Sequence, residues 1–293
     1  MVALLCHALL SERKQMTVLE VLQSTTAYLK KHDVERPRLN AEHLLAHTLR
    51  RERIELYLEF ERPLAEAELA PLRELVRRRG RGEPLQHLLG TVEFAGHVFK
   101  CDQRALIPRP ETEELVERVI EAAVPPPSKI LDVGTGSGVI ALSLAAQFPK
   151  AEVEAVDVSD DALGLARENA QRLELIDRVR FGKSDLLSGV EGDFDLIVAN
   201  LPYIAANERP ELAREVQHDP EMALIAGQRG DELVRKLIAN AGDHLFSGGL
   251  LALELGIGQA DDLAAFLAEK NYHDISVIRD YCGVKRFLFG RYG

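Results

Sequence analysis

The sequence of 293 residues contains few cysteines and no long apolar run. Its three cysteines, Cys6, Cys101 and Cys282, lie far apart and form no CxxC pair, so their spacing indicates neither a disulfide framework nor a zinc site. No apolar run approaches the roughly 18 residues that a membrane-spanning helix needs. We therefore expect a cytoplasmic protein that holds no metal and binds no membrane.

The apolar stretch at the N-terminus is short and lacks the basic residues that precede the apolar region of a signal peptide. Residues 2–10 run directly into Ser11, Glu12, Arg13 and Lys14. This pattern favours a helix or an upstream extension of the chain, and Met16 is an alternative start.

The sequence also lacks an excess of basic charge, since its formal net charge is −11. Residues 1–85 contain 15 Lys and Arg against 13 Asp and Glu, whereas residues 86–293 contain 21 against 34. Basic contacts to phosphate supply most of the affinity of nucleic-acid-binding proteins. The acidic second part therefore favours a protein substrate over naked nucleic acid.

Apolar residues recur at helical spacing through residues 17–79, with no alternating strand pattern. Thr17 and Glu20 have the spacing of a capping box, which marks the start of a helix. Pro37, Pro63 and Pro71 punctuate the region. We expect a small helical domain of four or five helices.

A basic run ends this helical region, with arginines at positions 77–79 and 81 around Gly80. One interpretation is an RNA-binding segment. The other is the cationic last turn of a helix with Gly80 near its C-cap, which the helix dipole favours. We prefer the second.

Between residues 82 and 107 the sequence changes to short strand fragments broken by glycine. Phe94 and Val98 flank a short turn, which predicts a β-hairpin. Pro108 and Pro110 then indicate an extended segment, followed by a helix over residues 113–123 that the prolines at 125–127 close.

From residue 129 onward, short apolar strands alternate with helical stretches. Strands are expected at residues 130–133, 153–158, 179–181, 194–199 and 250–255, and helices at 139–147, 160–173 and 231–246. This alternation predicts an α/β fold with a mainly parallel sheet covered on both faces. Residues 275–278 and 286–289 are too close in sequence for an intervening helix and predict an antiparallel hairpin at the sheet edge.

A glycine-rich turn follows the first of these strands. Its candidate cofactor-binding residues are Asp132, Gly134, Thr135, Gly136, Ser137 and Gly138. Glycines allow the backbone to turn tightly and to approach a ligand. Asp157 ends the second strand about 20 residues further on, where its carboxylate can accept hydrogen bonds from both ribose hydroxyls. A tight turn without a ligand is the alternative.

The glycine spacing, GxGxG, differs from the GxGxxG of dinucleotide sites. Asp132 would repel a pyrophosphate but suits the ammonium of a methionine moiety, so we expect S-adenosylmethionine, which has no phosphate. Ser184 and Asp185 follow the third strand and can hydrogen-bond an adenine amino group, with Leu186 packing on the ring. A surface turn is the alternative for this pair.

The stretch Asn200, Leu201, Pro202 and Tyr203 ends the fourth strand. Residues beyond the carboxyl end of a parallel strand normally face the ligand crevice. An amide side chain, free backbone carbonyls, a rigid turn and an aromatic ring can together hold a planar NH2 group and stack on its face. A strand end with a proline turn and a half-buried tyrosine is the alternative.

These motifs together resemble class I S-adenosylmethionine-dependent methyltransferases that act on planar NH2 groups. The Asn-Leu-Pro-Tyr stretch is usual in ribosomal RNA adenine-N6 dimethyltransferases, whereas the HemK/PrmC family, glutamine methyltransferases of peptide chain release factors, normally has Asn-Pro-Pro-Tyr. The stretches at residues 83–90 and 106–113, the 94–99 hairpin, residues 219–224 and the C-terminal residues 279–292 all resemble HemK/PrmC. So does the order of a helical domain before a catalytic one.

The resemblance implies a class I fold with a seven-stranded, mainly parallel sheet, a C-terminal antiparallel hairpin and an N-terminal helical bundle. Residues 1–85 would be a substrate-docking domain, residues 86–110 a hairpin linker and residues 111–293 the methyltransferase domain. The substrate would be the glutamine of the Gly-Gly-Gln loop of a bacterial-type release factor, and the enzyme would act as a monomer without nucleic acid.

The resemblance also implies one set of catalytic and substrate-binding residues: Asn200, Leu201, Pro202 and Tyr203. Asn200 would also lie against the cofactor. Arg109, Glu111 and Thr112 would cover the methionine end of the cofactor or fix the interdomain linker. Two other functions compete: an adenine-N6 methyltransferase acting on ribosomal RNA or DNA, and a non-catalytic S-adenosylmethionine-binding protein.

Overall fold

The computed structural model describes residues 15–293, so the expectations for residues 1–14 lie outside the described part of the chain. The chain divides into two compact units, one ending at Leu89 and the other spanning Gly90–Gly293. The boundary lies close to the expected end of the helical domain at residue 85. The β-hairpin belongs to the second unit.

The first unit is helical. Its helices are α1 (Val18–Lys31), α2 (Pro37–Leu49), α3 (Arg53–Leu58), α4 (Glu66–Gly80) and α5 (Leu85–Leu89). The predicted capping box is present, because the Thr17 side chain accepts from the Glu20 N–H while the Glu20 carboxylate accepts from the Thr17 N–H. Pro71 was expected to punctuate the helical region, but it lies inside α4. A leucine- and valine-rich core joins the helices.

The basic run forms the last turn of α4, which confirms the helix-end interpretation. The helix ends at Gly80. Arg78 pairs with Glu83, and the buried Arg79 donates to Asn40 Oδ1 at 2.7 Å. Arg79 therefore joins α4 to α2, and Arg78 joins the end of α4 to the segment that follows it.

The second unit begins with the predicted hairpin, whose strands β1 (Thr91–Phe94) and β2 (His97–Lys100) pair antiparallel. The next helix, α6 (Pro110–Ala122), starts three residues earlier than predicted. Proline is favoured at the first helical position, where its missing N–H would have no helical partner. Pro110 therefore begins the helix and does not extend the segment before it.

A seven-stranded sheet forms the centre of the second unit. Its strands are β3 (Lys129–Val133), β4 (Glu152–Asp157), β5 (Val179–Lys183), β6 (Phe194–Asn200), β9 (Leu245–Glu254), β10 (Tyr272–Arg279) and β11 (Lys285–Tyr292). Their order in the sheet is β10, β11, β9, β6, β3, β4, β5. The last five are parallel, and β11 runs antiparallel between β9 and β10. The predicted mainly parallel sheet with a C-terminal antiparallel hairpin is confirmed.

Two short strands, β7 (Ile204–Ala205) and β8 (Ile225–Gly227), pair beside the main sheet. The remaining helices of this unit are α7 (Val139–Gln147), α8 (Asp160–Arg172), α9 (Glu232–Ala241) and α10 (Ala260–Ala268). The prediction of a helix to residue 246 was wrong, because β9 already begins at Leu245, which pairs with Phe194 on β6. The apolar residues at 245 and 246 continue the helical spacing by coincidence.

Two apolar clusters form the core of the second unit. One includes Ile130, Leu142 and Phe287, and the other includes Leu131, Leu251 and Leu288. Neighbouring residues of one strand belong to different clusters, as expected when both faces of a sheet are covered. From β3 the chain adds β4 and β5 on one side and then β6 on the other, so the strand order reverses between β3 and β6. Ligands bind at such a switch point, beyond the carboxyl ends of the strands.

Candidate active site

The glycine turn after β3 adopts a backbone that only glycine takes up readily. Gly134, Gly136 and Gly138 have φ of 75°, 56° and 85°. The Gly134 N–H donates to Val156 O on β4 at 2.9 Å. A Cβ atom at Gly134 would lie 2.8 Å from Leu201 Cδ2, so the turn also lies against the end of β6.

Asp132 is fully buried beneath this turn. Its Oδ2 accepts from Thr135 Oγ1 at 2.6 Å and from the Ala141 N–H at 3.1 Å. Its Oδ1 has no hydrogen-bond partner among residues 15–293. Burial raises the pKa of this carboxyl to about 7. The Asp132 side chain thus braces the glycine turn and the start of α7.

Asp157 ends β4 beside the same turn. Its Oδ2 accepts from the Gly136 N–H and its Oδ1 from the Ser159 N–H, each at 2.9 Å. Each carboxylate oxygen has a second lone pair, so it can accept one more hydrogen bond. The side chain is therefore fixed at the carboxyl edge of the sheet with capacity for two hydroxyl donors.

A first cavity lies beyond the carboxyl ends of β3, β4 and β6. The predicted cofactor residues that line it are Gly134, Thr135, Gly136, Ser137, Asp157, Asp185, Leu186 and Asn200. Asp132 and Gly138 lie outside its lining. Apolar residues that the motifs had not indicated complete the wall, among them Leu106, Ile140 and Val158.

The expected adenine pair lies at this cavity in a turn after β5. Asp185 is exposed and its carboxylate contacts Lys236 Nζ at 3.1 Å. Ser184 Oγ donates to Leu186 O at 2.7 Å and accepts from the Gly189 N–H, so its hydroxyl stabilises the turn. Leu186 has a φ of 52°, an uncommon conformation for a leucine.

The Asn200 side chain is held by two buried neighbours. Its Nδ2 donates to Thr112 Oγ1 at 2.8 Å, and Thr112 Oγ1 donates to Glu254 Oε2, also at 2.8 Å. Burial raises the pKa of Glu254 to about 7, against the opposing effects of Thr112 and Arg286. Asn200 and Glu254 end adjacent strands, at paired positions of β6 and β9.

A second cavity lies on the other side of the Asn200 stretch. It is lined by Tyr203, Arg109, Glu111 and Arg286 together with apolar residues of 204–224. Asn200, Leu201 and Pro202 line both cavities, so they form the wall between them. Burial raises the pKa of the Tyr203 hydroxyl, which keeps the ring neutral near neutral pH.

Leu201 is only 4% exposed, and its side chain lies against the glycine turn. The leucine therefore buries more apolar surface than a proline, whose side chain is smaller, would bury at this position. This contact is a physical reason why leucine is accommodated at this position.

Two acidic residues of the site were not found from sequence. Glu254 is the one charged residue of β9, and a carboxylate at the end of an otherwise apolar strand was the signal for it. Asp219 has a fully buried side chain and pairs with Arg109 Nη2 at 2.6 Å, joining the segment before α6 to the segment after β7. No sequence signal indicated that pair, because the two residues lie far apart in the chain.

The described residues contain no group of three His, Cys, Asp or Glu side chains placed to hold a metal ion. In the same part of the chain, each helix is too short or too polar to cross a membrane.

The residues at the first cavity fit S-adenosylmethionine. The remaining acceptor capacity of Asp157 suits the ribose diol, and Asp132 lies buried beneath the turn, outside the cavity lining. The apolar wall with Leu186 suits an adenine ring. Arg104, a basic residue of the lining, is paired with Asp102 and Glu168, so it is not an uncompensated cation for phosphate. The fold and this site define a class I S-adenosylmethionine-dependent methyltransferase.

Comparison with known proteins agrees over nearly the whole chain. The PrmC N-terminal domain family matches residues 20–90, and the Methyltransferase small domain family matches residues 111–256. The release factor glutamine methyltransferase of Rhodopirellula baltica is 42% identical over 282 residues, covering 93% of this chain and 95% of the relative. That of Chlorobaculum tepidum is 41% identical over 290 residues, covering 94% and 98%. The chain belongs to the release factor glutamine methyltransferase family.

Solved structures support the fold. The hMettl16 catalytic domain in complex with MAT2A 3'UTR hairpin 6 matches with a TM-score of 0.55 at 16% identity, covering 76% of this chain and 82% of that chain. A T. thermophilus 16S rRNA methyltransferase in complex with AdoMet and guanosine matches with a TM-score of 0.52 at 18% identity, covering 69% and 50%. At these identities the likeness concerns the fold alone.

Proposed function

We propose that this protein transfers a methyl group from S-adenosylmethionine to the side-chain amide nitrogen of the glutamine in the Gly-Gly-Gln motif of peptide chain release factors. The observation that carries the proposal is the wall between the two cavities. Asn200, Leu201 and Pro202 line both the cavity that fits the cofactor and the cavity that contains Tyr203. A side chain entering the second cavity meets the methyl donor at this wall.

The chemistry requires positioning more than proton removal. An amide nitrogen is a poor nucleophile because its lone pair is delocalised into the carbonyl. S-adenosylmethionine, when bound, supplies an electrophilic methyl group on a sulfonium. The Asn200 oxygen and the Leu201 carbonyl can each accept one substrate N–H, which holds the nitrogen with its lone-pair face toward the first cavity. Positioning of this kind contributes on the order of 7–11 kcal/mol in the best intramolecular reactions.

Tyr203 and Pro202 complete the acceptor site. The ring of Tyr203 offers a flat apolar surface on which the substrate amide can stack, and the ring of Pro202 stiffens the turn that carries it. The Tyr203 carbonyl accepts from Gln259 Nε2 at 3.0 Å, which fixes the turn from behind. Glu111 lines the same cavity and can accept hydrogen bonds from the backbone of an entering loop, whereas Arg109, also in the lining, is paired with Asp219.

The helical unit is the proposed docking site for the body of the release factor. Its slight excess of basic residues contrasts with the acidic remainder of the chain. We retain the expected assignment of residues 1–85 to docking, 86–110 to the linker and 111–293 to catalysis. A cytoplasmic monomer without a nucleic-acid partner also stays a prediction.

The charges near the second cavity favour a protein substrate over a flipped base. Arg109 is paired with Asp219, and Arg286 lies within hydrogen-bonding distance of Asp280 at 3.4 Å. Acidic residues thus balance both arginines of the cavity, so neither is placed as an uncompensated cation for phosphate. Nucleic-acid sites present an excess of positive charge.

The proposal is tested with labelled S-adenosylmethionine and two release factors, one natural and one with alanine in place of the Gly-Gly-Gln glutamine. We expect label transfer to the natural factor alone. Equal labelling of both factors would contradict the proposed acceptor, and labelling of neither would contradict the proposed substrate.

A further inference from the structure

Asn200 is one end of a chain of three polar side chains that come from three different elements. Asn200 ends β6, Thr112 lies in the first turn of α6, and Glu254 ends β9. Thr112 is 3% exposed and Glu254 is 1% exposed. The Asn200–Thr112 and Thr112–Glu254 hydrogen bonds are both 2.8 Å long, so the three side chains are closely connected.

The chemistry of these groups gives the chain one direction. An ionised carboxylate can only accept hydrogen bonds, so the Thr112 hydroxyl must donate its single hydrogen to Glu254. The Thr112 oxygen can then only accept from Asn200. An amide meets an acceptor with its NH2 group, so the Asn200 nitrogen is turned toward Thr112 and its oxygen away from it.

We propose that Thr112 and Glu254 are positioning residues that fix the orientation of the Asn200 amide, so that its oxygen is presented to the substrate N–H. This inference rests on the proposed function. A flipped amide would present an NH2 group to the substrate NH2 group, and two donors cannot form a hydrogen bond. The orientation of Asn200 therefore decides whether the acceptor nitrogen is held at all.

The charge of Glu254 controls the direction of the hydrogen bonds from Asn200 through Thr112 to Glu254. Arg286 on β11 and the hydrogen-bonding groups of Thr112 and Asn200 favour the carboxylate, whereas burial and Glu111 on α6 disfavour it. The Tyr203 hydroxyl is the further titratable group that interacts with it. Burial raises the pKa of Glu254 to about 7. A protonated Glu254 can donate to Thr112, after which Thr112 can donate to the Asn200 oxygen and favour the flipped amide.

The test compares Thr112→Val, Thr112→Ser and Glu254→Gln with the wild type on intact release factor. Thr112→Val keeps the shape but removes the hydroxyl, and kcat should fall on the order of 10- to 100-fold, the cost of a misplaced reacting group. KM for the release factor should not change. Because Thr112 also lines the first cavity, kcat is measured at saturating S-adenosylmethionine, and the affinity for the cofactor is measured separately by calorimetry. Thr112→Ser should restore most of kcat.

The pH profile separates positioning from mere packing. In the wild type, kcat should rise with pH through about 7 as Glu254 becomes ionised. Glu254→Gln should lower kcat and remove this rise. A glutamine amide does not titrate, and it has both a hydrogen-bond donor and an acceptor, so it does not force the Thr112 hydroxyl to donate. Asp195→Asn is the matched control: it removes a carboxylate at the opposite end of β6, where Asp195 accepts from the Ser128 and Lys129 N–H groups. It should keep the wild-type profile.

Wild-type activity on the Gly-Gly-Gln glutamine is measured first, and its absence would contradict the proposed function and this inference with it. If the wild type is active, a Thr112→Val enzyme with unchanged kcat would overturn the inference alone. So would weaker cofactor binding at unchanged kcat, which would make Thr112 a cofactor contact. Should Thr112→Val fail to fold, a Glu254→Gln enzyme that keeps the wild-type pH profile would overturn it equally.

Discussion

Replacing Asp157 by alanine is the sharpest test of the cofactor site. In the protein both carboxylate oxygens already accept one backbone N–H at 2.9 Å, so the side chain is held in place and each oxygen retains one lone pair for a ribose hydroxyl. A hydrogen bond to a charged group contributes about 1.5–3 kcal/mol. Losing two of them should weaken S-adenosylmethionine binding by about 3–6 kcal/mol, or on the order of 10²- to 10⁴-fold.

Calorimetry with S-adenosylmethionine measures this loss directly, and a thermal melt of each variant checks that the turn still folds. Asp157→Asn keeps one acceptor oxygen and should bind with intermediate affinity. Asp161→Ala is the control, because it removes the same charge from an exposed position in the first turn of α8, outside the cavity lining. An Asp157→Ala protein with wild-type affinity would refute the assignment of the ribose site.

Three further predictions concern the catalytic stretch, the buried carboxylate and the helical unit. Asn200→Ala should lower kcat strongly while KM for the release factor stays close to the wild-type value, because the amide orients one nitrogen and does not hold the whole protein substrate. Steady-state kinetics with a raised KM and an unchanged kcat would contradict the orienting role of Asn200. The pKa of Asp132 is raised to about 7 in the folded protein, so the folded state holds a proton that the unfolded state releases above pH 3.8. The wild type should therefore lose stability relative to Asp132→Asn as pH rises from 3.8 to 7, by at most about 1.4 kcal/mol per pH unit. Denaturant titrations that give a constant stability difference across this window would contradict the raised pKa of Asp132. A protein beginning at Gly90 should still bind S-adenosylmethionine in calorimetry but should methylate intact release factor poorly, and full activity without the helical unit would exclude its docking role.

The sequence was informative wherever a structural feature depends on neighbouring residues. The glycine turn, the strand ends at Asp157 and Asn200 and the hairpin at residues 91–100 are each specified by a short local pattern, and each is present. The predicted helix over residues 231–246 extends too far, because residues 245 and 246 fit a helical period. In the folded chain they begin β9, where Leu245 pairs with Phe194 on β6.

The contacts that hold the site depend on residues far apart in the chain. Thr112 and Glu254 are 142 positions apart, and Arg109 and Asp219 are 110 apart, so no local pattern could pair them. Asp132 illustrates the same limit. Its position before the turn was evident, but its bonds to Thr135 and the start of α7 emerge only in the folded chain. Motifs thus indicated residues that line the two cavities, and the fold shows what positions them.

The most direct test of the central claim is a competition assay. Wild-type enzyme receives labelled S-adenosylmethionine together with intact release factor and ribosomal RNA, and tandem mass spectrometry maps every methylated position. We predict methylation of the Gly-Gly-Gln glutamine on its side-chain nitrogen, with the RNA unmodified. Methylated adenine in the RNA with an unmodified glutamine would contradict the proposed function. It would favour the adenine-N6 methyltransferase that the Asn-Leu-Pro-Tyr stretch, with Leu201, resembles.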